Sequence, residues 1–201
     1  MHESQLETLR QQQVFTRVKQ LYEQSTRPVA HWMWDNHVQP VAQNAADIAD
    51  RFHINKEKAV VGALLHDLGD VWLDRHDPNF DAKTETETRA ILAKAGFSPE
   101  EINETWTEVI VPHSCRPGDK SPTNPAGQAL ASADAQAHLQ KDFYAQMQQM
   151  GLPAHISAEQ FSHWATQKIK RDFNTKMFFP ELKQELKPNY DRLVKHYAPG
   201  V

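Results

Sequence analysis

The chain of 201 residues has one cysteine, Cys115. That excludes an intramolecular disulfide framework and any multi-cysteine zinc cage, and suits a reducing compartment. Charge of one sign is also lacking. Twenty-two Lys and Arg stand against 26 Asp and Glu, and the formal charge of −4 is spread without a basic block. The electrostatic footprint of a duplex nucleic-acid binder is therefore missing. No long apolar run is present: the longest, Ala59 to Leu65, is far short of a bilayer span, and the polar start Met1-His2-Glu3 lacks a signal peptide's order of charged then apolar residues. These absences lead to the expectation of a cytoplasmic protein without a membrane partner. Alternating β-branched stretches are absent as well, which excludes a sheet as the main framework. Eleven histidines are present, so any metal site has to be built from imidazole and carboxylate.

At roughly 150 residues per domain the length argues for one domain with terminal extensions and a sizeable core. Apolar residues recur at helical spacing almost throughout, and an all-α fold is expected. The spacing predicts a first helix from about Glu3 to Gln24, ended by Arg27-Pro28, and a second from about Asn36 to Phe52. A third is expected from Lys56 to Leu68 with Asn55 as N-cap, and a fourth from Thr84 to Ala95, closed by Gly96. Ser98-Pro99-Glu100-Glu101 has the order of a capping box and starts a fifth, ending near Val111 before Pro112. Four prolines and Gly118 then predict a long loop from Pro112 to Pro125, a candidate functional loop. A sixth helix is expected from Ala126 to Met150, a seventh from Ser157 towards Pro180, and short helical pieces after that.

The informative residues are acidic ones at positions where a helix should be apolar. At helical offsets of three and four, Asp67 meets Ala63, Leu64, Asp70 and Val71, and Asp134 meets Leu130, Ala131, Ala137 and His138, with no Lys or Arg in either set. A carboxylate in apolar surroundings costs several kcal/mol unless a partner compensates it, and a metal cation is one such partner. The alternative for either residue alone is a solvent-facing side chain or a distant arginine, and arginines already pairing both would argue against an ion. His66 stands beside Asp67 on a face with the small Gly62 and Ala63. His37 lies on the apolar stripe His37, Val41, Ala45, Ile48, Ala49 and Phe52 and should point inward, as a ligand or as a hydrogen-bonded core residue.

This ordered set, His37, then His66-Asp67 twenty-nine residues later, then Asp134 in an alanine-rich helix, resembles the H…HD…D signature of the HD-domain superfamily of metal-dependent phosphohydrolases. The resemblance covers about Trp32 to Tyr144, with the remainder read as helical extensions, the C-terminal one about 152–201. It implies an all-α HD helical bundle and one divalent ion, manganese, iron, magnesium, nickel or cobalt, held by His37, His66, Asp67 and Asp134. It further implies hydrolysis of a small phosphate ester or anhydride, most plausibly a nucleotide. Two imidazoles and two carboxylates suit such an ion on chemical grounds alone, and open coordination positions permit it to activate water.

Members that hold two ions use additional histidines. His113 resembles one such position, but the other falls at Thr84 and Glu85, which favours one ion and weakens the likeness to the di-iron oxygenase branch. Asp70, three residues after Asp67, is the acid–base candidate, with a solvated helix-end aspartate as the alternative. His113 is either a substrate or proton-transfer contact or an exposed loop residue. No lysine follows the HD pair to meet phosphate, so Arg116, Lys120, Arg171 and Lys176 are the cationic candidates, each also readable as a surface charge. Trp32 and Trp34 could stack on a base or belong to the core. His76-Asp77 repeats the dipeptide without its context. A non-catalytic HD module binding metal or nucleotide, and a di-iron oxygenase, stand as alternative functions.

Overall fold

In the computed structural model, residues 1, 6–116, 118, 120–140 and 142–198 are described. They form helices joined by turns, and no strand occurs among them. In chain order these are α1 (Leu9–Glu23), α2 (Pro28–Met33), α3 (Gln39–Phe52), α4 (Lys56–Leu65), α5 (Phe80–Lys94), α6 (Pro99–Glu104), α7 (Pro125–Gln140), α8 (Phe143–Gln149), α9 (Ala158–Thr175) and α10 (Pro180–Tyr197). The all-α expectation holds.

The centre of the molecule is α3 packed on both α4 and α7, with α4 also against α7. The composition of these helices explains their proximity. The seven residues Ala59 to Leu65 of α4 are all buried, and α7 is buried along nearly its whole length through small side chains, chiefly alanine. At Gly127 of α7 an added Cβ would lie 2.5 Å from the backbone oxygen of Glu108, so the helix can sit this close only with glycine there. Asn44 of α3 donates from Nδ2 to the Ala133 carbonyl at 3.2 Å, which fixes α3 beside α7.

Several expected boundaries move. The chain is already helical from Pro28, and a π turn, Trp34–Val38, joins α2 to α3 and carries His37. α4 stops at Leu65 rather than Leu68; a 3-10 turn, Leu68–Val71, follows, so Asp67 is not helical (φ −116°, ψ 24°). α5 begins at Phe80 instead of Thr84. The Ser98 capping box forms as expected, but α6 continues through a π turn, Thr105–Ile110, into a 3-10 turn, Val111–Ser114. Pro112 lies in the first turn of that segment, where its missing N–H has no helical partner to lose.

The expected sixth helix is described as two, α7 ending at Gln140 and α8 beginning at Phe143. The region after Pro180 is one helix of 18 residues, with Pro188 inside it, rather than short pieces. Its buried Leu182, Leu186, Leu193 and Tyr197 hold it on the bundle, packing that outweighs one missing helical hydrogen bond. α10 packs on α9 and α7. α1 begins at Leu9, and residues 2–5 of its expected first turns lie outside the described residues. No helix of the described residues is long and apolar enough to cross a membrane.

Candidate metal centre

Two helices of the central packing, α4 and α7, and the π turn ahead of α3 bring the candidate ligands together. His37 enters from the π turn ahead of α3, a local widening of the helix that is frequent at functional sites. His66 and Asp67 leave the C-terminal end of α4, and Asp134 projects from the middle of α7. The turn after α4 is tied down from outside: Tyr22 Oη donates to the Asp67 carbonyl at 2.8 Å and Ser25 Oγ to the Val71 carbonyl at 2.7 Å. All four residues are buried.

The ligating atoms of His37, His66 and Asp134 lie within 4.8 Å of one another. His37 Nε2 stands 3.1 Å from His66 Nε2, 3.2 Å from Asp67 Oδ2 and 3.3 Å from Asp134 Oδ1. A second group of atoms with the same mutual reach consists of His66, Asp67 and His113. His113 therefore does not stand apart on the loop: its ring meets that of His66 edge-on, with centroids 5.1 Å apart. His66 and His113 share a device. Each places Nδ1 against the carbonyl of the residue three earlier, Ala63 at 2.7 Å and Ile110, so a neutral ring donates there and turns the lone pair of Nε2 to the cluster.

No Lys or Arg meets either aspartate at helical offsets of three or four, but each has a cation from farther along the chain. Arg75 donates from Nη2 to Asp67 Oδ2 and from Nε to Asp70 Oδ1 at 3.1 Å, with Nη2 also on Asp70 Oδ2. The Lys176 ammonium is on Asp134 Oδ2. The physical reason is that α4 ends before Asp67, so offsets along a helix do not describe its neighbours, and the turn brings Arg75 back over it. Lys176 arrives from the far end of α9, 42 residues on. It is held there because Ser132 Oγ donates to the Lys176 carbonyl at 3.0 Å and accepts the Phe178 N–H at 3.0 Å. Lys176, one of the cationic candidates, is thus buried rather than a surface charge.

Behind Asp134 lies a second polar layer that the sequence reading passed over. His138, one turn along α7, places Nε2 3.4 Å from Asp134 Oδ1 and Nδ1 2.9 Å from Asp172 Oδ2. Asp172 is fully buried and accepts from Lys168 Nζ at 3.1 Å and Arg171 Nη2 at 3.2 Å. The His138 ring stacks parallel on that of His37 with centroids 4.8 Å apart. The available signal was the i, i+4 pair Asp134 and His138 on one buried face.

The electrostatics follow from burial and these contacts. Burial lowers the pKa of His37 against the pull of Asp67 and Asp134, and keeps the ring neutral. Burial and the Lys168 charge push His138 down to about 4, and burial with Lys176 and His66 pushes His113 down to about 3. For His66 burial also disfavours the cation, but Asp67 and Asp134 outweigh it and the pKa is raised. Burial opposes ionisation of Asp67 and Asp134, yet Arg75 for the first and Lys176 for the second hold both well below the usual carboxylate range. Asp70 differs: burial outweighs Arg75 and raises its pKa.

An ion has to be weighed against these cations. Counting formal charges, Asp67, Asp70 and Asp134 against Arg75 and Lys176 leave one negative charge on the cluster. Asp134 Oδ1 is buried with no hydrogen-bond donor, facing His37 Nε2 and His138 Nε2. Nitrogen lone pairs and an orphaned carboxylate oxygen converging in a net anionic interior fit a divalent cation. One arginine and one lysine hold the two aspartates without using all their oxygens, so the side-chain cations reduce the site's negative charge rather than abolish the donor set.

Of the other candidates, Asp70 is in the cluster through Arg75, in a 3-10 turn rather than at a solvated helix end. Arg116 and Lys120 are exposed and pair with no member of the cluster. Arg171 is on Asp172. Thr84 Oγ1 donates to the Phe80 carbonyl at 2.7 Å and Glu85 pairs with Arg89, so neither takes part. His76 is exposed. Trp34 is core, tilted against Phe15 and Tyr22, and Trp32 packs on Phe143.

With this geometry in place, comparison with known proteins gives one match. The family model described as HD domain matches residues 34–196, well past Tyr144, so α9 and all but the last residue of α10 fall within it. No curated protein and no solved structure matched.

Proposed function

We propose, from the fact that this chain belongs to the HD-domain family, a superfamily of metal-dependent hydrolases, that it is a phosphohydrolase acting with one divalent cation on a small phosphate ester or anhydride, with nucleotides as the first substrates to test. The observation that supports this reading is the convergence of His37 Nε2, His66 Nε2 and Asp134 within 4.8 Å, with Asp67 Oδ2 3.2 Å from His37. His37, His66, Asp67 and Asp134 would hold the ion, manganese, iron, magnesium, nickel or cobalt by donor chemistry. Bound there, such an ion supplies a water of lowered pKa and charge stabilisation for phosphoryl oxygens.

The chain's own residues have separate tasks in this reading. His66 is held by Ala63 with Nε2 inward, and His113 by Ile110 in the same way, so both rings are oriented before substrate arrives. Asp70, whose pKa is raised by burial, is suited to hold or give up a proton beside Asp67. The deep burial of the ligands, with the Asp67 side chain 9% and the Asp134 side chain 6% exposed, favours a second reading, a non-catalytic module with a structural ion.

The test is metal analysis of protein purified without added ions, followed by a phosphate-release assay on a panel of phosphomonoesters and nucleotides. Phosphate release by wild type that disappears with the metal in Asp67→Asn supports the hydrolase. A raised melting temperature with Mn²⁺ and no phosphate release supports the structural module. Two irons per chain would point to the oxygenase chemistry. Asp70→Ala is expected to keep the metal and lose turnover, whereas His76→Ala changes neither.

A further inference from the structure

Two side-chain cations touch the carboxylates of the cluster, and they differ in access. Lys176 is buried, its side chain 2% exposed, with its ammonium on Asp134. The Arg75 side chain is 46% exposed although its guanidinium is anchored to Asp67 and Asp70. An arginine has five N–H donors in a rigid plane. Arg75 gives Nε–H to Asp70 Oδ1 and uses Nη2 on Asp70 Oδ2 and Asp67 Oδ2. No hydrogen bond among the described residues engages Nη1, so its two N–H groups remain available on a side chain that is half exposed.

The two aspartates fix the plane of this guanidinium, which removes most of the rotamer freedom that an exposed arginine would otherwise lose on binding. The anchored oxygens belong to the proposed metal ligand Asp67 and to its neighbour Asp70, so Nη1 belongs to a guanidinium tied to the same cluster. The formal charge of that cluster is one negative, and becomes one positive with a divalent cation, so the loaded site attracts an oxyanion where the empty one would not. Arg116 and Lys120 lack any such connection to the ligands.

We infer that Arg75 is the residue that recognises the substrate's phosphate, donating from Nη1 to a phosphoryl oxygen while Asp67 and Asp70 hold its plane. The choice of a phosphate as the anion rests on the hydrolase reading above; the anion-binding role rests on the geometry of Arg75.

The experiment is calorimetric titration of inorganic phosphate into Mn²⁺-loaded wild type, Arg75→Gln and Arg75→Lys, with Mn²⁺ stoichiometry measured for each. The expected result is phosphate binding to wild type that weakens at least tenfold in Arg75→Gln and by less in Arg75→Lys, with one Mn²⁺ per chain throughout. In turnover, the same variants should raise KM more than they lower kcat. Phosphate binding in Arg75→Gln within twofold of wild type would overturn the assignment and leave Arg75 as an ion-pair brace. Absence of phosphate binding to loaded wild type would overturn it too. Should Arg75→Gln lose Mn²⁺, Arg75→Lys decides: undiminished phosphate affinity in a variant with full Mn²⁺ overturns the role. Arg75-dependent phosphate binding by a protein that cleaves no ester would retain this role while the hydrolase reading fails, and ester cleavage with Arg75-independent phosphate binding would do the reverse.

Discussion

The residue that most changes the account of the site is Lys176. Its ammonium compensates Asp134 in a buried setting, where removing one partner of an ion pair costs about 3–5 kcal/mol because the other charge is stranded. Asp134→Ala would therefore confound metal loss with a stranded lysine, and Asp134→Asn is the cleaner variant because its amide oxygen can still accept from the Lys176 ammonium, although it carries no counter-charge. Asp134→Asn is expected to abolish Mn²⁺ retention while circular dichroism keeps its helical signal. Lys176→Met removes a positive charge that competes with a cation for the same carboxylate. It is expected to destabilise the metal-free protein in urea and to tighten Mn²⁺ binding in a direct titration; weaker binding would mean that Lys176 supports the ligand geometry instead. His37, His66, Asp67 and Asp134 were legible as a set through their likeness to the HD signature, with the inward histidine and apolar-flanked aspartates as the local pattern that agrees with it. Arg75, the pairing of Lys176 with Asp134 and the link from Asp172 to His138 were not, because the partners lie 8, 42 and 34 residues apart, and no local spacing records such pairs.

At the scale of elements, the site depends on how closely α7 can approach its neighbours. The 2.5 Å approach of a Cβ at Gly127 to the Glu108 backbone oxygen cannot be relieved by rotating a side chain, whereas Gly62 would meet the movable Val109 Cγ1. Gly127→Ala is expected to cost about 1–3 kcal/mol in urea unfolding, the usual range for overpacking, and to weaken Mn²⁺ binding because α7 carries Asp134. Gly62→Ala should cost less in the same measurement. Helix existence was read well from periodicity, and the capping boxes at Ser98 and Ser157 form as their sequences imply. The break between α7 and α8, the early end of α4 and the continuity of α10 through Pro188 were not, since each depends on what packs against the segment rather than on the segment's own propensity.

Across the whole molecule, buried histidines make stability depend on pH and on metal. The buried His37 and His138 and the part-buried His113 have pKa values below the ordinary 6.5 in the folded protein. As pH falls below 6.5 the unfolded chain takes up protons that these folded rings refuse, so stability decreases with falling pH, by about 1.4 kcal/mol per pH unit for each ring until it protonates. His66 is shifted the other way and offsets part of this loss. The urea midpoint of the chelator-treated protein should therefore fall between pH 6.5 and 4; a midpoint that rises over that interval would contradict the assigned burial. Mn²⁺ at 100 times its Kd should add about 2.7 kcal/mol to wild type, by mass action on the folded state, and nothing to Asp134→Asn.

The sequence by itself determined the helical class and the inward face of the segment around His37, because helical periodicity is a local property of a chain, while the four candidate ligands came from the likeness of His37, His66-Asp67 and Asp134 to the HD signature. Only the tertiary structure decided which cations meet those carboxylates, that His113 and His138 join them, and that the turn after α4 ties Arg75 to the same cluster. Those outcomes depend on the approach of α3, α4, α7 and α9 to one another, and the Coulomb and desolvation energies that govern a buried charge follow distance in space, not separation along the chain.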